Sequence, residues 1–254
     1  MAAPRKIEDR TRLDELLVAR GLYATRSRAR DAIERGAVTV GGAILAKPGQ
    51  AVLASSEIGV DDPAAGYVSR AALKLIAGLD HFGLDPRGSE ALDIGASTGG
   101  FTQVLLERGA SHVTAIDVGH GQLDPSLRND PCVTVIEDLN ARDLSASDLG
   151  GASPDFVVCD VSFISLTLAL PPALILAVSG AKGVFLVKPQ FEAGRDAIGK
   201  GGILKNPADG PRIAEKLRAW LDAQPGWRAL GVCDSPVAGG DGNREFLLAG
   251  IKDR

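Results

Sequence analysis

Cysteine is scarce here, and its three copies (Cys132, Cys159 and Cys233) stand far apart with no CxxC pair. That spacing argues against a disulfide framework and against a thiolate zinc site. Each thiol is expected to fill a small apolar space, and a reducing cytoplasm is the expected compartment. Histidine is as sparse: His81, His112 and His120 show no HxxxH spacing, so no metal is expected. Long apolar runs are missing too. The most apolar stretch, Leu168–Val178, is broken by Pro171 and Pro172 and falls short of the ~18 residues a membrane helix needs. The first residues, Met1-Ala-Ala-Pro-Arg-Lys, lead into charged residues rather than the apolar segment of a secretory signal. No membrane association is expected. What remains is ordinary for a globular chain with a sizeable core: 254 residues, 45% hydrophobic and 24% charged. That length suits one large domain or two unequal ones.

Charge is unevenly spread. Residues 1–60 hold ten basic and seven acidic side chains, a balance of +3, whereas the remainder carries −7. A small basic unit ahead of a larger acidic one suggests separate tasks, the first contacting nucleic acid. Leu13, Leu16, Leu17 and Leu22 follow the spacing of a helix with one buried face, ended by Gly21. A second helix is expected over 25–35, with Ala29, Ala32 and Ile33 inward and Gly36 at its C-terminal cap. Val38–Val40, Gly41-Gly42 and Ala43–Leu45 read as a hairpin, with a last short strand at Ile58–Val60. Asp61–Gly66 is rich in turn formers and is expected to be a linker. The division expected is therefore 1–62 and 63–254.

Beyond the linker, strand-like runs alternate with helical segments. The strands are expected at Glu90–Ile94, His112–Ile116, Val133–Ile136, Phe156–Cys159, Gly183–Val187, Trp227–Cys233 and Glu245–Ile251, with a helix at Pro211–Ala223. This rhythm means an α/β fold, a parallel sheet covered by helices on both faces.

The most informative segment is Ala91-Leu-Asp-Ile-Gly-Ala-Ser-Thr-Gly-Gly-Phe-Thr102, a strand running into a glycine turn and then a helix. A P-loop would need lysine where Phe101 stands, and the dinucleotide fingerprint would need glycine at Ser97. Asp93, inside the strand, disfavours a pyrophosphate and suits a ligand carrying positive charge. Asp117 closes the next strand, where a carboxylate can accept both hydroxyls of a ribose, and Asp138 follows the third, placed for an adenine edge. An adenosine with a cationic, phosphate-free tail is S-adenosylmethionine. The alternative is a generic doubly wound enzyme with carboxylates at its strand ends.

Five motifs then stand in order: Tyr67-Val-Ser-Arg-Ala-Ala-Leu-Lys-Leu75, the glycine turn, Cys159-Asp-Val-Ser-Phe-Ile-Ser165, Val187-Lys-Pro-Gln-Phe-Glu192 and Gly242-Asn-Arg-Glu-Phe246. On these the chain resembles the FtsJ-type RNA ribose 2′-O-methyltransferases, and more closely the TlyA-type rRNA methyltransferases. The resemblance implies a Rossmann-like S-adenosylmethionine-dependent methyltransferase sheet with an antiparallel final strand. It implies methylation of a ribose 2′-oxygen, of a cytidine in rRNA, with rRNA or ribosomal subunits as partners. The family's Lys-Asp-Lys-Glu tetrad falls on Lys74, Asp160, Lys188 and Glu245, and its methyl donor lies across Gly95, Ser97, Gly99, Gly100 and Phe101. Lys188 is the candidate to stabilise or generate the attacking oxygen, as a base or as a fixed cation. A free lysine has a pKa near ~10.4, so a base would need burial or a neighbouring cation such as Lys74. Asp160-Val-Ser-Phe163 is similar to the Asp/Asn-Pro-Pro-aromatic motif of amine methyltransferases, but lacks both prolines.

The first unit resembles a small α+β RNA-binding module of a small-subunit ribosomal protein and several RNA-modifying enzymes. Arg12-Leu-Asp-Glu-Leu-Leu17, Ser27-Arg-Ala-Arg-Asp-Ala-Ile33, Gly36-Ala-Val-Thr-Val40 and Lys47-Pro48 carry that resemblance. Arg12, Arg26, Arg28, Arg30, Arg35 and Lys47 are the expected phosphate contacts. The alternative readings are a methyltransferase of tRNA or another structured RNA, and a non-catalytic RNA-binding ribosome assembly factor. Gly194–Gly202, with Arg195 and Lys200, is either a loop gripping RNA or a flexible surface.

Overall fold

A computed structural model describes residues 9–253, which form two compact units that divide between Gly66 and Tyr67. Residues 1–8 and 254 lie outside the described residues.

In the first unit, helices α1 (Leu13–Ala19) and α2 (Arg26–Glu34) pack their apolar faces together. Leu13, Leu16, Leu17, Ala29, Ala32 and Ile33 are buried, as the spacing predicts, with Tyr23, Val38 and Val52 completing the core, whereas Leu22, expected on the same face, lies beyond α1 and is exposed. Thr25 starts α2 by accepting the Arg28 amide on its hydroxyl. Strands β2 (Val38–Val40) and β3 (Ala43–Ile44) make the expected hairpin, joined on the other side of β2 by β5 (Ile58–Val60). A second ladder was not expected: β1 (Arg10–Arg12) pairs antiparallel with β4 (Ala51–Leu53). The expected linker is also more than a linker. The Asp62 carboxylate is buried and accepts hydrogen bonds from the Tyr23 hydroxyl at 2.9 Å, Arg35 at 2.7 Å and the Ala64 amide at 2.9 Å, and Ala64 is buried. These bonds tie the segment to the first unit.

The second unit opens with α3 (Ala71–Phe82), then β6 (Glu90–Ile94), α4 (Gly100–Glu107), β7 (His112–Ile116), α5 (Pro125–Arg128), β8 (Val133–Ile136) and β9 (Phe156–Cys159). It continues with α6 (Leu166–Ala169), α7 (Pro171–Leu176), β10 (Lys182–Val187), α8 (Pro189–Glu192), α9 (Asp209–Asp222), β11 (Trp227–Asp234) and β12 (Phe246–Lys252). The sheet order is β11-β12-β10-β9-β6-β7-β8. Its β6–β10 ladders are parallel, and β12 is antiparallel to both neighbours. The antiparallel last strand matches expectation.

Strand alternation decides which side chains meet which helices. Leu92, Ile94, Val157, Cys159, Phe185 and Val187 join one cluster with residues of α6, α7 and α9. Ala91, Phe156, Val158, Val184 and Leu186 join the opposite cluster with α3 and α4. Cys159 fills apolar space as expected, whereas Cys132 is exposed. The chain proceeds outward from β6 to β8 and returns to β9, so the order reverses between β6 and β9. Ligands of open α/β sheets bind at the strands' carboxyl ends beside such a reversal.

Candidate active site

At that reversal Ile94 lies beside Cys159, so the turn after β6 faces Asp160. Gly95 has φ +79°, and a Cβ there would come within 2.9 Å of the Asp160 carbonyl oxygen, which explains why no side chain stands there. Gly99, at φ +100°, lets α4 begin at once; a Cβ there would overlap Leu123 and Leu127. Ser97 holds a left-handed φ of +47°. Its amide donates to the Asp117 carboxylate at 2.8 Å, and its hydroxyl bonds Gln122.

Two cavities adjoin this turn. The larger, about 1200 Å³, runs from Asp117, Val118 and Asn140 past Gly95 and Ser97 to Asp160, Ser162 and Phe163. The smaller, about 150 Å³, is lined by Ser69, Gly100 and Phe101 together with Lys188. Gly95, Ser97, Asp160 and Ser162 line both.

Asp117 lines the larger cavity and receives the Gly119 amide at 2.7 Å as well as that of Ser97. Two other expected cofactor residues are placed differently. Asp93 is fully buried and lines neither cavity. Alternation puts it on the Ala91 face of β6, under α4, where its carboxylate accepts the Thr102 hydroxyl at 2.6 Å. It braces the start of α4 from beneath. Burial pushes its acid up to about 7, against the Thr102 hydrogen bond that pulls it down, and the nearby Asp160 and Asp117 carboxylates add to the rise. Asp138 sits on a turn at φ +57°, largely exposed, paired with His120 at 3.1 Å. The cavity wall there is formed by its successors Leu139 and Asn140.

The four tetrad residues form two ion pairs. Lys188, directly after β10, lies 2.6 Å from the Asp160 carboxylate and donates to the Ser162 hydroxyl at 2.8 Å. Lys74, on α3, donates to Glu245 at 2.6 Å, with both side chains buried. Glu245 precedes β12 rather than opening it. Because Val187 pairs with Phe246, position 245 lies across the ladder from position 188. The two pairs are thus neighbours at the same end of the sheet, although neither Lys74 nor Glu245 lines the two cavities. Ser162 and Phe163 were not singled out from sequence. Both lie inside the Cys159–Ser165 motif, but nothing in composition signals that Phe163 stands 91% exposed at φ +66°, over the Phe191 ring at 5.1 Å.

In the first unit, the expected phosphate contacts divide. Arg12 and Arg26 both pair with the buried Asp14 at 3.0 Å, which holds that carboxyl down at about 2. Arg35 is half-buried and engaged by Asp31 and Asp62, so it is a brace for the fold. Arg28 reaches the Ala65 carbonyl at 3.4 Å. Arg30 and Lys47 are exposed. The Gly194–Gly202 segment is a closed loop. Ile198 bridges Leu204, and Asn243 binds it through the Leu204 amide and the Gly202 carbonyl.

The FtsJ-like methyltransferase family matches residues 67–252, and the S4 domain matches residues 11–58. The chain is 46% identical over 241 residues to the 16S/23S rRNA (cytidine-2'-O)-methyltransferase TlyA of Mycobacterium tuberculosis, covering 94% of this chain and 89% of that protein. It is 39% identical to Hemolysin A of Brachyspira hyodysenteriae, covering 93% and 98%. A solved structure of a hemolysin-named protein from Streptococcus thermophilus superposes with a TM-score of 0.74 at 40% identity, covering 96% of this chain and 89% of that one. With the strand order, the glycine turn and the paired lysines in place, the chain belongs to the FtsJ-like methyltransferase family and carries an N-terminal S4 domain.

Proposed function

We propose that the protein transfers the methyl group of S-adenosylmethionine to the ribose 2′-oxygen of a cytidine in rRNA, presented within ribosomal subunits in the cytoplasm. The observation that carries this reading is the Lys188–Asp160 pair beside the glycine turn, at the carboxyl ends of adjoining strands. The named activity of the M. tuberculosis relative supports the same substrate.

The larger cavity fits the cofactor in chemistry and in size, somewhat above the usual ~300–1,000 Å³ of small-molecule sites. Asp117 would hold the ribose hydroxyls, Asn140 and Leu139 the adenine side, and Gly95 and Ser97 the amino-acid side. When bound, S-adenosylmethionine supplies an already activated methyl. The chain's own task is therefore alignment and charge stabilisation. An ammonium has three donors. Lys188 donates one to Ser162 and holds Asp160 as an ion pair, which leaves it a donor for a 2′-oxygen. Asp160 and Ser162 fix its direction, and Lys74–Glu245 buttresses the same end of the sheet. Phe163 offers an aromatic face on which an unstacked base can rest.

In the S4 unit, Arg30, Lys47, Arg28 and the exposed faces of Arg12 and Arg26 are the proposed phosphate contacts. Among the described residues no helix is long and apolar enough to cross a membrane, so the hemolysin names of two relatives find no spanning helix here. Mapping 2′-O-methyl sites on rRNA from cells with and without the protein tests the reading. Loss of a methyl at one or more cytidines is expected, and an unchanged map would contradict it.

A further inference from the structure

Two of the motifs, Cys159–Ser165 and Val187–Glu192, are more than carriers of Asp160 and Lys188. They run side by side and touch at three levels. At the first, Lys188 meets Asp160 and Ser162. At the second, the rings of Phe191 and Phe163 lie 5.1 Å apart. At the third, Glu192 receives the Ser165 hydroxyl at 2.5 Å and the Leu166 amide at 2.8 Å. One turn of α8 links these levels on the second strand's side, because Lys188 and Glu192 are four residues apart.

We propose that Glu192 is a positioning residue. By clamping Ser165 and Leu166, it fixes the loop that carries Asp160, Ser162 and Phe163 against the segment that carries Lys188. This rests on the methyl-transfer reading above. The loop has a reason to need such a clamp. Phe163 is held at a positive φ that bulky residues avoid, while its side chain is 91% exposed and gains little from burial. Such a conformation persists only where the surroundings impose it. Ser162 is anchored by Lys188 on one side of Phe163, and Ser165 is anchored by Glu192 on the other. The Glu192 carboxylate also satisfies an orphan amide at the start of α6, where negative charge is favoured. It is half-buried, and partial burial raises its acid even though two donors are aimed at it. It lines neither the larger cavity nor the smaller one, so its effect passes through the loop.

The test uses the full chain with isolated ribosomal subunits and S-adenosylmethionine, comparing wild type, Glu192→Ala, Glu192→Gln and Ser165→Ala. Rates are expressed per cofactor-binding site counted by calorimetry, so that misfolded molecules drop out. Glu192→Ala should lower kcat by about tenfold to a hundredfold and raise the KM for RNA, since small misplacements of reacting groups carry penalties of that size. Cofactor affinity should stay within about threefold of wild type, because the charge-assisted contacts of that cavity are untouched. Glu192→Gln keeps an acceptor for the Leu166 amide and can donate to Ser165, so it should restore most of the turnover. Ser165→Ala should fall between. Wild-type turnover per site in the alanine variant would overturn the proposal. So would a glutamine variant as impaired as alanine, or a loss of cofactor affinity parallel to the loss of rate. If wild type itself leaves the subunits unmethylated, the methyl-transfer reading fails rather than the clamp.

Discussion

Removing one partner of the Lys74–Glu245 pair has consequences that follow from its burial. The side chains are 7% and 2% exposed and lie 2.6 Å apart. Glu245→Ala leaves the Lys74 ammonium buried without its counter-charge, and breaking such a pair costs about 3–5 kcal/mol. In a domain of this size each kcal/mol lowers Tm by about 2–4 °C, so scanning calorimetry should find the transition about 6–20 °C lower. Lys74→Met alone should do comparable damage by stranding Glu245. The double variant, Lys74→Met with Glu245→Leu, removes both charges and the desolvation cost with them, and should return to within a few degrees of wild type. Methyl transfer should remain lost in the double variant, because position 245 lies across the ladder from Lys188 and the buttress beside it is gone. Two results would refute the reasoning: a single variant that melts like wild type, or a stable double variant that still methylates RNA at the wild-type rate.

Other expectations follow from the same geometry. Asp117→Asn should weaken S-adenosylmethionine binding in calorimetry by about tenfold to a hundredfold, the worth of hydrogen bonds to a charged group. It should also lower the melting point of the ligand-free chain slightly, because Asp117 holds the Ser97 and Gly119 amides; unchanged affinity would remove it from the cofactor site. Lys188→Ala should abolish methyl transfer while cofactor affinity is retained, and single-turnover rates within a few-fold of wild type would exclude it from the chemistry. Asp93 is raised to about 7 in the fold, from about 3.9 in the unfolded chain, so folding takes up a proton between those values. Its contribution is fully present below about pH 4 and is lost as pH rises through 7; the stability difference between wild type and Asp93→Asn, followed by denaturant titration, should shift against wild type across that window, and a pH-independent difference would contradict its protonated state. In the S4 unit, Arg30→Ala with Lys47→Ala should flatten the salt dependence of rRNA binding by ~0.7–0.9 log units per lost phosphate contact, and an unchanged slope would show that they touch no phosphate.

Much of this architecture was legible because apolar alternation is a local property. Phe156–Cys159 and His112–Ile116 occur where the pattern places them, and the glycine turn falls between β6 and α4. The placements that differ from expectation have a common cause in tertiary direction. Alternation shows that Asp93 opposes Leu92 and Ile94, but which face α4 covers is settled only by packing. Asp138 follows its strand as expected, yet a left-handed turn swings it outward and leaves Leu139 and Asn140 on the cavity wall. Strand β1, Arg-Thr-Arg, has no apolar residue to mark it, and its pairing with β4 joins segments far apart in the chain. Asp61–Gly66 has the composition of a linker, and its role in the first unit depends on Tyr23 and Arg35, 39 and 27 residues away from Asp62. The tetrad was reached through family motifs. Its pairing as Lys188–Asp160 and Lys74–Glu245 needed the antiparallel register of β10 and β12.

In the proposed reaction Lys188, steered by Asp160 and Ser162, directs methyl transfer to a ribose oxygen. Its most direct test is to incubate ribosomal subunits with methyl-labelled S-adenosylmethionine and either wild type or Lys188→Ala, then digest the RNA to nucleosides and identify the labelled product by mass spectrometry. Wild type should yield 2′-O-methylcytidine and the variant none, with both proteins binding the cofactor. Label on a base carbon or nitrogen, or equal 2′-O-methylcytidine from both proteins, would contradict it.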